Sequence, residues 1–409
     1  TENDSTKKTQ RLPLNLSIVI DRSGSMQGQP LDEAKKCASM LVDRMGEKDR
    51  LSIVMYGADA EVLVPSQPVT DKRKFKSQID AIYASGMTAL YDGWSLGAEE
   101  VAKNSHSNSI SRVLLLSDGQ ANRGLVDEDV IATHCQKMAE IGVSTSTYGL
   151  SGYFNENLMV GMASAGQGQA HYGQTAEDLL DPFQEEFDLL EAILSRRIRL
   201  RILPEKGVSF EILNGYSQDG EGRFILPDLA FGADVWALIQ IKINSKICSQ
   251  QPETKLKILS AYIDYLDHDG VDQRSETAKL IIDLCTREQF ACLELDETVK
   301  SRVTEVRAAT LQEVAQVAAR SENWAKVDQT MLALAELGEE NEWIKASVQR
   351  LKAYSTRRQR ESFSKETLYK SRKMKQRSVA KNEEIFSSIS ESSRPSYLRR
   401  KMEQGKREL

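Results

Sequence analysis

The spacing of apolar residues changes character twice along the chain. Up to about residue 190, short continuous apolar runs alternate with segments whose apolar positions recur at helical intervals. Leu14–Asp21 (LNLSIVID) reads as a buried strand, and residues 30–45 as a helix opened by Pro30, whose missing N–H suits a first turn. Strands are predicted at 51–56 and 61–64, helices at 71–83 and 91–103, a strand at 112–117 (RVLLLS), a helix at 127–140 and a strand at Val143–Leu150. Residues 155–165, 169–172 and 175–190 add helix, strand and helix. This α/β rhythm predicts a doubly wound, mostly parallel sheet covered on both faces.

From about residue 195 the runs become strands punctuated by Gly, Asn, Asp and Pro, including RRIRLRIL, VSFEIL, GRFILP and TKLKILSAYIDYL. Several alternate apolar with polar residues, which predicts antiparallel sheets with one wet face, as in a β-sandwich. Ala and Leu at helical spacing then predict helices at 299–320 and 324–338, a short polar turn between them, and a third helix at 341–358. Trp324 and Trp343 read as packing residues of these helices. The last fifty residues are rich in Lys, Arg and Ser with few large apolar side chains, which predicts a basic, largely disordered tail. The expected division is a polar segment 1–12, an α/β domain 13–192, a β-sandwich 193–294, a helical region 295–358 and the tail 359–409.

Composition changes this picture in three ways. The net charge of −6 hides an asymmetry: from Lys345 onward there are 19 Lys and Arg against 7 Asp and Glu, so the body is strongly acidic and the end basic. Such an end suits an acidic partner; without interleaved aromatics around Arg372–Arg377 it does not suit base-specific nucleic-acid reading. The five cysteines (Cys37, Cys135, Cys248, Cys285, Cys292) are scattered with no C-x-x-C pair, which predicts reduced thiols and a cytoplasmic setting. No apolar window is long enough for a membrane span, and the polar start is unlike a secretory signal.

The chemistry concentrates directly after the first strand, where Asp21-Arg22-Ser23-Gly24-Ser25 forms D-x-S-x-S. Ligands of open α/β sheets sit outside the carboxyl ends of strands, so these side chains emerge where a site is expected. A carboxylate and two hydroxyls are hard oxygen donors, suited to Mg²⁺, with Mn²⁺ or Ca²⁺ as alternatives. Two further loops offer donors: Thr88 in Ser85-Gly86-Met87-Thr88-Ala89-Leu90, and Asp118 at the end of the strand 112–117. By chance alone D-x-S-x-S occurs in roughly one chain of this length in ten. Taken singly it is matched by a simpler reading, in which Asp21 and the serines cap a turn and the following helix.

As a set, Asp21, Ser23, Ser25, Thr88 and Asp118 resemble the metal ion-dependent adhesion site of the von Willebrand factor A domain family, in family order, over roughly residues 14–190. The resemblance implies that Ser23, Ser25 and Thr88 touch a divalent ion directly, while Asp21 and Asp118 act largely through water or by ordering the loops. It also implies an open coordination position that an Asp or Glu of a protein partner fills. The function so implied is recognition without catalysis: an intracellular adaptor, similar in its order of parts to proteins of this family with a β domain and helices after the A domain. Two other readings stand beside it: a hydrolase using Ser95 or a metal-activated water, and a secreted or surface adhesin. Gly93-Trp94-Ser95-Leu96-Gly97 fits the G-x-S-x-G elbow of hydrolases, although Ser95 falls inside a predicted helix. A surface adhesin would place a glycan at Asn15-Leu16-Ser17, inside a predicted buried strand. Asp267-His268-Asp269-Gly270 reads as a hairpin turn, and His106, His134, His171 and His268 show no metal-ligand spacing.

Overall fold

The computed structural model describes residues 11–118, 121–150, 155–173, 177–231, 233–244, 255–339, 341–376 and 379–380. They fall into two compact units, one of residues 11–194 with His268–Val271, the other of Ser195–Asp267 with the described residues from Asp272 onward.

All eight residues of β1 (Leu14–Asp21) and of β4 (Ile110–Ser117) are buried, which requires neighbours on both sides and cover on both faces. The first unit supplies them. Between these strands run α1 (Gln29–Arg44), β2 (Arg50–Tyr56), β3 (Ala60–Pro68), α2 (Lys72–Asp80) and α3 (Leu90–Ala102); after them come α4 (Glu128–Glu140), β5 (Val143–Leu150), α5 (Glu156–Ala165), β6 (Gln167–Gly173) and α6 (Glu177–Glu191). The sheet order is β3-β2-β1-β4-β5-β6, parallel except for β3. The chain winds outward from β1 in one direction and from β4 in the other, so the winding reverses between these two strands. In sheets wound this way, ligands are expected outside the carboxyl ends of the two strands at the reversal. β3 runs past the predicted 61–64 because Pro65 and Pro68, which end the pattern in sequence, are tolerated on an antiparallel edge.

Alternation along the strands divides the two faces. Leu16, Ile18, Ile20, Leu114 and Leu116 pack with Leu31, Ala34, Leu41, Phe75, Ile79, Phe183 and Phe187 from α1, α2 and α6. On the opposite face lies α3, so close that a Cβ on Gly93 would sit 2.4 Å from the Tyr56 ring and one on Gly97 2.3 Å from Val19 Cγ2. Both glycines of the G-x-S-x-G match thus serve helix-to-sheet contact. Trp94 between them donates from its indole to Thr145 Oγ1 at 3.0 Å. Of the cysteines, Cys37 and Cys135 are buried and Cys285 and Cys292 exposed, all four as free thiols; Cys248 lies outside the described residues.

The second unit begins with antiparallel strands: β7 (Ile193–Pro204), β8 (Val208–Ile212), β9 (Phe224–Ile225), β10 (Leu229–Ala230), β11 (Ala233–Asp234), β12 (Ile239–Ile243), β13 (Lys255–Leu266), β14 (Asp272–Arg274) and β15 (Ala278–Asp283). The sheet β10-β7-β13-β14, with β9 and β15 attached, shares an apolar cluster with the β8–β12 pair through Ile202, Leu256, Ile258, Phe210 and Ile241. Helices α7 (Arg287–Ala291), α8 (Glu297–Arg320), α9 (Trp324–Gly338), α10 (Glu342–Thr356) and α11 (Arg360–Gln376) follow. Trp324 packs beside their core with its ring edge-on to Phe363; the Trp343 side chain lies outside the described residues.

The expectation of a disordered tail from 359 fails over α11. Phe363 and Met374 are fully buried with Ala308, Ala315, Leu334 and Leu351, and Ser364, Lys365, Thr367 and Ser371 are buried as well. Small hydroxyls bury cheaply on a helix when they bond to its own carbonyls, as Thr367 does to Phe363 O at 2.7 Å, so a polar composition concealed an inward face. β16 (Val379–Ala380) pairs with β11, and the rest of the predicted tail lies outside the described residues. Among the described residues, no helix is long and apolar enough to cross a membrane.

Candidate metal centre

Asp21 ends β1 at this reversal. Its carboxylate is fully buried and held by three neutral donors: Oδ1 accepts from Ser23 N–H at 2.8 Å, and Oδ2 from Ser117 Oγ at 2.7 Å and Tyr56 Oη at 3.2 Å. The turn it starts runs through a short 3₁₀ segment, Gly24–Met26, and brings Ser23 Oγ to 3.0 Å from Ser25 Oγ. Ser23 is buried and Ser25 exposed, so one hydroxyl is fixed inside and the other meets solvent.

The second loop is bonded onto the first. Ser85 N–H donates to Arg22 O at 2.6 Å and Gly24 N–H to Gly86 O at 3.0 Å, while Ala89 N–H reaches Gly57 O at 2.8 Å. Close backbone approach explains two glycines here: a Cβ on Gly57 would lie 2.7 Å from Ser85 O, and Gly86 has φ of 85°, a left-handed conformation. Thr88, buried, is joined to the third loop, since its N–H donates to Asn122 Oδ1 at 2.9 Å and its carbonyl accepts from Asn122 N–H at 3.2 Å. Asp118, also buried, follows β4 directly.

The electrostatics at Asp21 favour a positive charge nearby. Burial, and next the charge of Asp118, push the Asp21 carboxyl up to about 6, against the pull of the Ser23 N–H and Ser117 hydroxyl. Burial and the charge of Asp21 likewise raise the Tyr56 phenol well above its usual range, which keeps it a neutral donor. Two buried carboxylates that repel one another are relieved by a cation. The hydroxyls fit one: oxygens on adjacent corners of an octahedron at the Mg²⁺ distance of about 2.0–2.1 Å are about 2.8–3.0 Å apart, and the Ser23–Ser25 spacing is 3.0 Å. Among the described residues no group of three or more His, Cys, Asp or Glu could hold a metal, so a donor set here must draw on hydroxyls.

Three participants belong to no motif in the sequence. Tyr56, Ser117 and Asn122 come from β2, the last position of β4 and the loop after it, and matter only through the carboxylate or loop they hold. Asn122, four positions after Asp118, was the most findable, since Asn fixes turns by bonding to backbone. The remaining candidates resolve simply. Ser95 lies mid-helix with its hydroxyl 3.4 Å from Glu99 Oε1, so no strand-to-helix elbow exists around it. Asn15 is buried, donating to Val101 O and Ser111 Oγ, and residues 267–271 form the turn between β13 and β14. His171 Nε2 lies 3.0 Å from Glu186 Oε2 in a buried network with Arg112, Ser146 and Tyr148.

Residues 15–186 match the family model of the von Willebrand factor type A domain. Sequence relatives include an uncharacterised protein of Synechocystis (31% identical over 48% of this chain and 46% of its own) and one of Escherichia coli (30% identical, 48% and 35%). The human inter-alpha-trypsin inhibitor heavy chain H3 is 28% identical over 43% of this chain and 21% of its own. The chain thus spans less than half the length of the curated relatives it matches. Among solved structures, a von Willebrand factor type A protein from Catenulispora acidiphila superposes with a TM-score of 0.63 (15% identity, 82% of each chain). The ArnB paralog VWA2 from Sulfolobus acidocaldarius follows with 0.59 (16%, 89% of each chain). The first unit has the fold of a von Willebrand factor type A domain, and the likeness to these two solved structures extends past it into the second unit. Domains of this family are commonly metal-dependent adhesion or protein-interaction modules.

Proposed function

We propose that Asp21, Ser23, Ser25, Thr88 and Asp118 hold a divalent cation, Mg²⁺ by preference with Mn²⁺ or Ca²⁺ as substitutes, and that the chain is an adaptor gripping an Asp or Glu of another protein there. The observation that carries this reading is the pairing of two buried, mutually repelling carboxylates with two hydroxyls 3.0 Å apart at the reversal point of the sheet. When bound, the ion supplies attraction for one more anionic oxygen; largely neutral direct donors leave that attraction undiminished. The protein's own part is positional. Ser117, Tyr56 and the Ser23 N–H fix Asp21, and the bonds between the three loops fix Thr88 and the serines. The scattered free thiols support a reducing, cytoplasmic setting. The basic residues from Lys345 onward offer a second contact to an acidic partner. With Ser95 in a helix, the reading involves no catalytic step.

The test is calorimetric titration of Mg²⁺ and Mn²⁺ into the wild type and into Asp21→Ala with Ser23→Ala. Heats must vanish in the double variant while its circular dichroism matches wild type; unchanged heats overturn the assignment. Capture of a protein from lysate in Mg²⁺ must in turn be lost in EDTA.

A further inference from the structure

Among the described residues, strand β15 is paired on one side only. Its register with β13 runs from Lys255 opposite Asp283 to Ala261 opposite Ala278, and among the described residues no strand lies along its other side. Ile282 is half-buried and every other residue of the strand is exposed, Leu280 to 39% and Ile281 to 53%. The chain leaving it exposes Phe290, Leu293 and Leu295 to 68%, 66% and 76%. A row of open backbone donors and acceptors flanked by large apolar side chains is an arrangement that sheets ordinarily protect, because it templates pairing with another chain. No proline interrupts β15.

The strand's own sequence specifies an occupant. Laid antiparallel to a second copy about a twofold axis at Ile281, it sets Ile281 against Ile281, Leu280 against Ile282 and Lys279 against Asp283. Period-two alternation puts Lys279, Ile281 and Asp283 on one face as ion pair, aliphatic pair and ion pair, with Leu280 and Ile282 on the other. Shifting the axis to lie between Leu280 and Ile281 sets Lys279 against Ile282 and Asp283 against Ala278, so the charges select the first register. A twofold interface requires a self-complementary patch, and this strand is one in both charge and apolarity. The segment that departs at Leu284 then sets off beside the partner's Ala278, bringing its exposed apolar residues toward the seam.

We infer that β15 is a homodimerisation edge, through which two copies of this chain join the β13–β15 sheets of their second units into one. This assignment is independent of the metal centre and survives if that centre binds nothing.

Sedimentation analysis of the full chain tests it, with EDTA to exclude metal bridging and a reductant because Cys285 and Cys292 are exposed. The wild type must pass from monomer to dimer between about 1 and 200 µM. Lys279→Asp and Asp283→Lys each set like charges together twice per dimer and must weaken association at least roughly tenfold. The double reversal restores opposite charges and must recover dimerisation. A wild type monomeric throughout the range, singles without effect, or a double no better than the singles would each overturn the inference. Hydrogen exchange needs no variant: amides of residues 278–283 must gain protection from dilute to concentrated solution, and equal exchange would show that the dimer, or another protein, uses a different surface.

Discussion

Thr88 and Asn122 hold each other at two points, backbone to side chain at 2.9 Å and backbone to backbone at 3.2 Å, and so tie the loop before α3 to the loop after β4. Removing the Asn122 amide group leaves the buried Thr88 N–H without its acceptor, a loss of about 1–2 kcal/mol. Asn122→Ala is therefore expected to weaken Mn²⁺ binding by roughly tenfold, since about 1.4 kcal/mol is a factor of ten. Calorimetric titration checks this. Wild-type affinity would mean that the loops are positioned without the amide.

The glycines of α3 predict a contrast within one short motif. At Gly97 a Cβ would meet Val19 at 2.3 Å and Ser17 Oγ at 3.1 Å. Alanine gains about 1 kcal/mol in helix propensity but incurs about 1–3 kcal/mol of overpacking on a rigid strand, so Gly97→Ala should lower stability. Gly93→Ala presses on the ring of Tyr56, whose phenol donates to Asp21, and should weaken metal binding as well as stability. Ser95→Ala should leave both within about 0.5 kcal/mol of wild type. Urea unfolding of the three variants, with metal titrations alongside, measures the difference; a Ser95→Ala variant that lost metal affinity would contradict the packing account.

Glu186 gives the domain a dependence on acid. Burial alone would raise its carboxyl, but the hydrogen bond from His171, the charge of Arg112 and the Ser146 hydroxyl outweigh burial and bring it down to about 2. A depressed folded value means that its contribution is fully present above the ordinary 4.5 and is lost as pH falls toward about 2. That contribution amounts to roughly 3 kcal/mol. Glu186→Gln should flatten the stability curve between these values. At neutral pH it should cost about 3–5 kcal/mol, because the buried guanidinium of Arg112 loses the carboxylate 2.7 Å from it. Urea titrations at several pH values decide; an unchanged slope below pH 4.5 would remove Glu186 from the account.

For α11 the expectation concerns stability alone. Phe363 is fully buried among Ala308, Leu334 and Leu351, so Phe363→Ala should destabilise the second unit by about 3–5 kcal/mol. A loss below about 1 kcal/mol in chemical denaturation would mean that the helix is not part of that core.

What could be read in the sequence was whatever one dimension records. Leu14–Asp21 and residues 112–117 announce themselves because fully buried parallel strands are nearly all apolar, and Asp21, Ser23, Ser25, Thr88 and Asp118 stand out because donors follow such strands or precede a helix. Contacts that exist only after folding left no trace. Tyr56 reads as the apolar end of a strand, Ser117 as its last residue and Glu186 as one acid among several on a helix. The inward face of α11 was hidden because Ser364, Lys365, Thr367 and Ser371 occupy positions where a hydrophobic pattern looks for Leu or Val. Strands of two residues, such as β9 to β11, are too short to show any period.

The two burial extremes among the cysteines divide the molecule for the chemist. Burial, with Glu33 nearby, pushes the Cys37 thiol up to about 12, and burial raises Cys135 further, so at neutral pH neither presents the thiolate that electrophiles attack. Cys285 and Cys292 stand open to solvent, one on either side of α7. Among these four, a maleimide dye added to the native protein would mark the strand-and-helix half and leave the α/β half uncoloured.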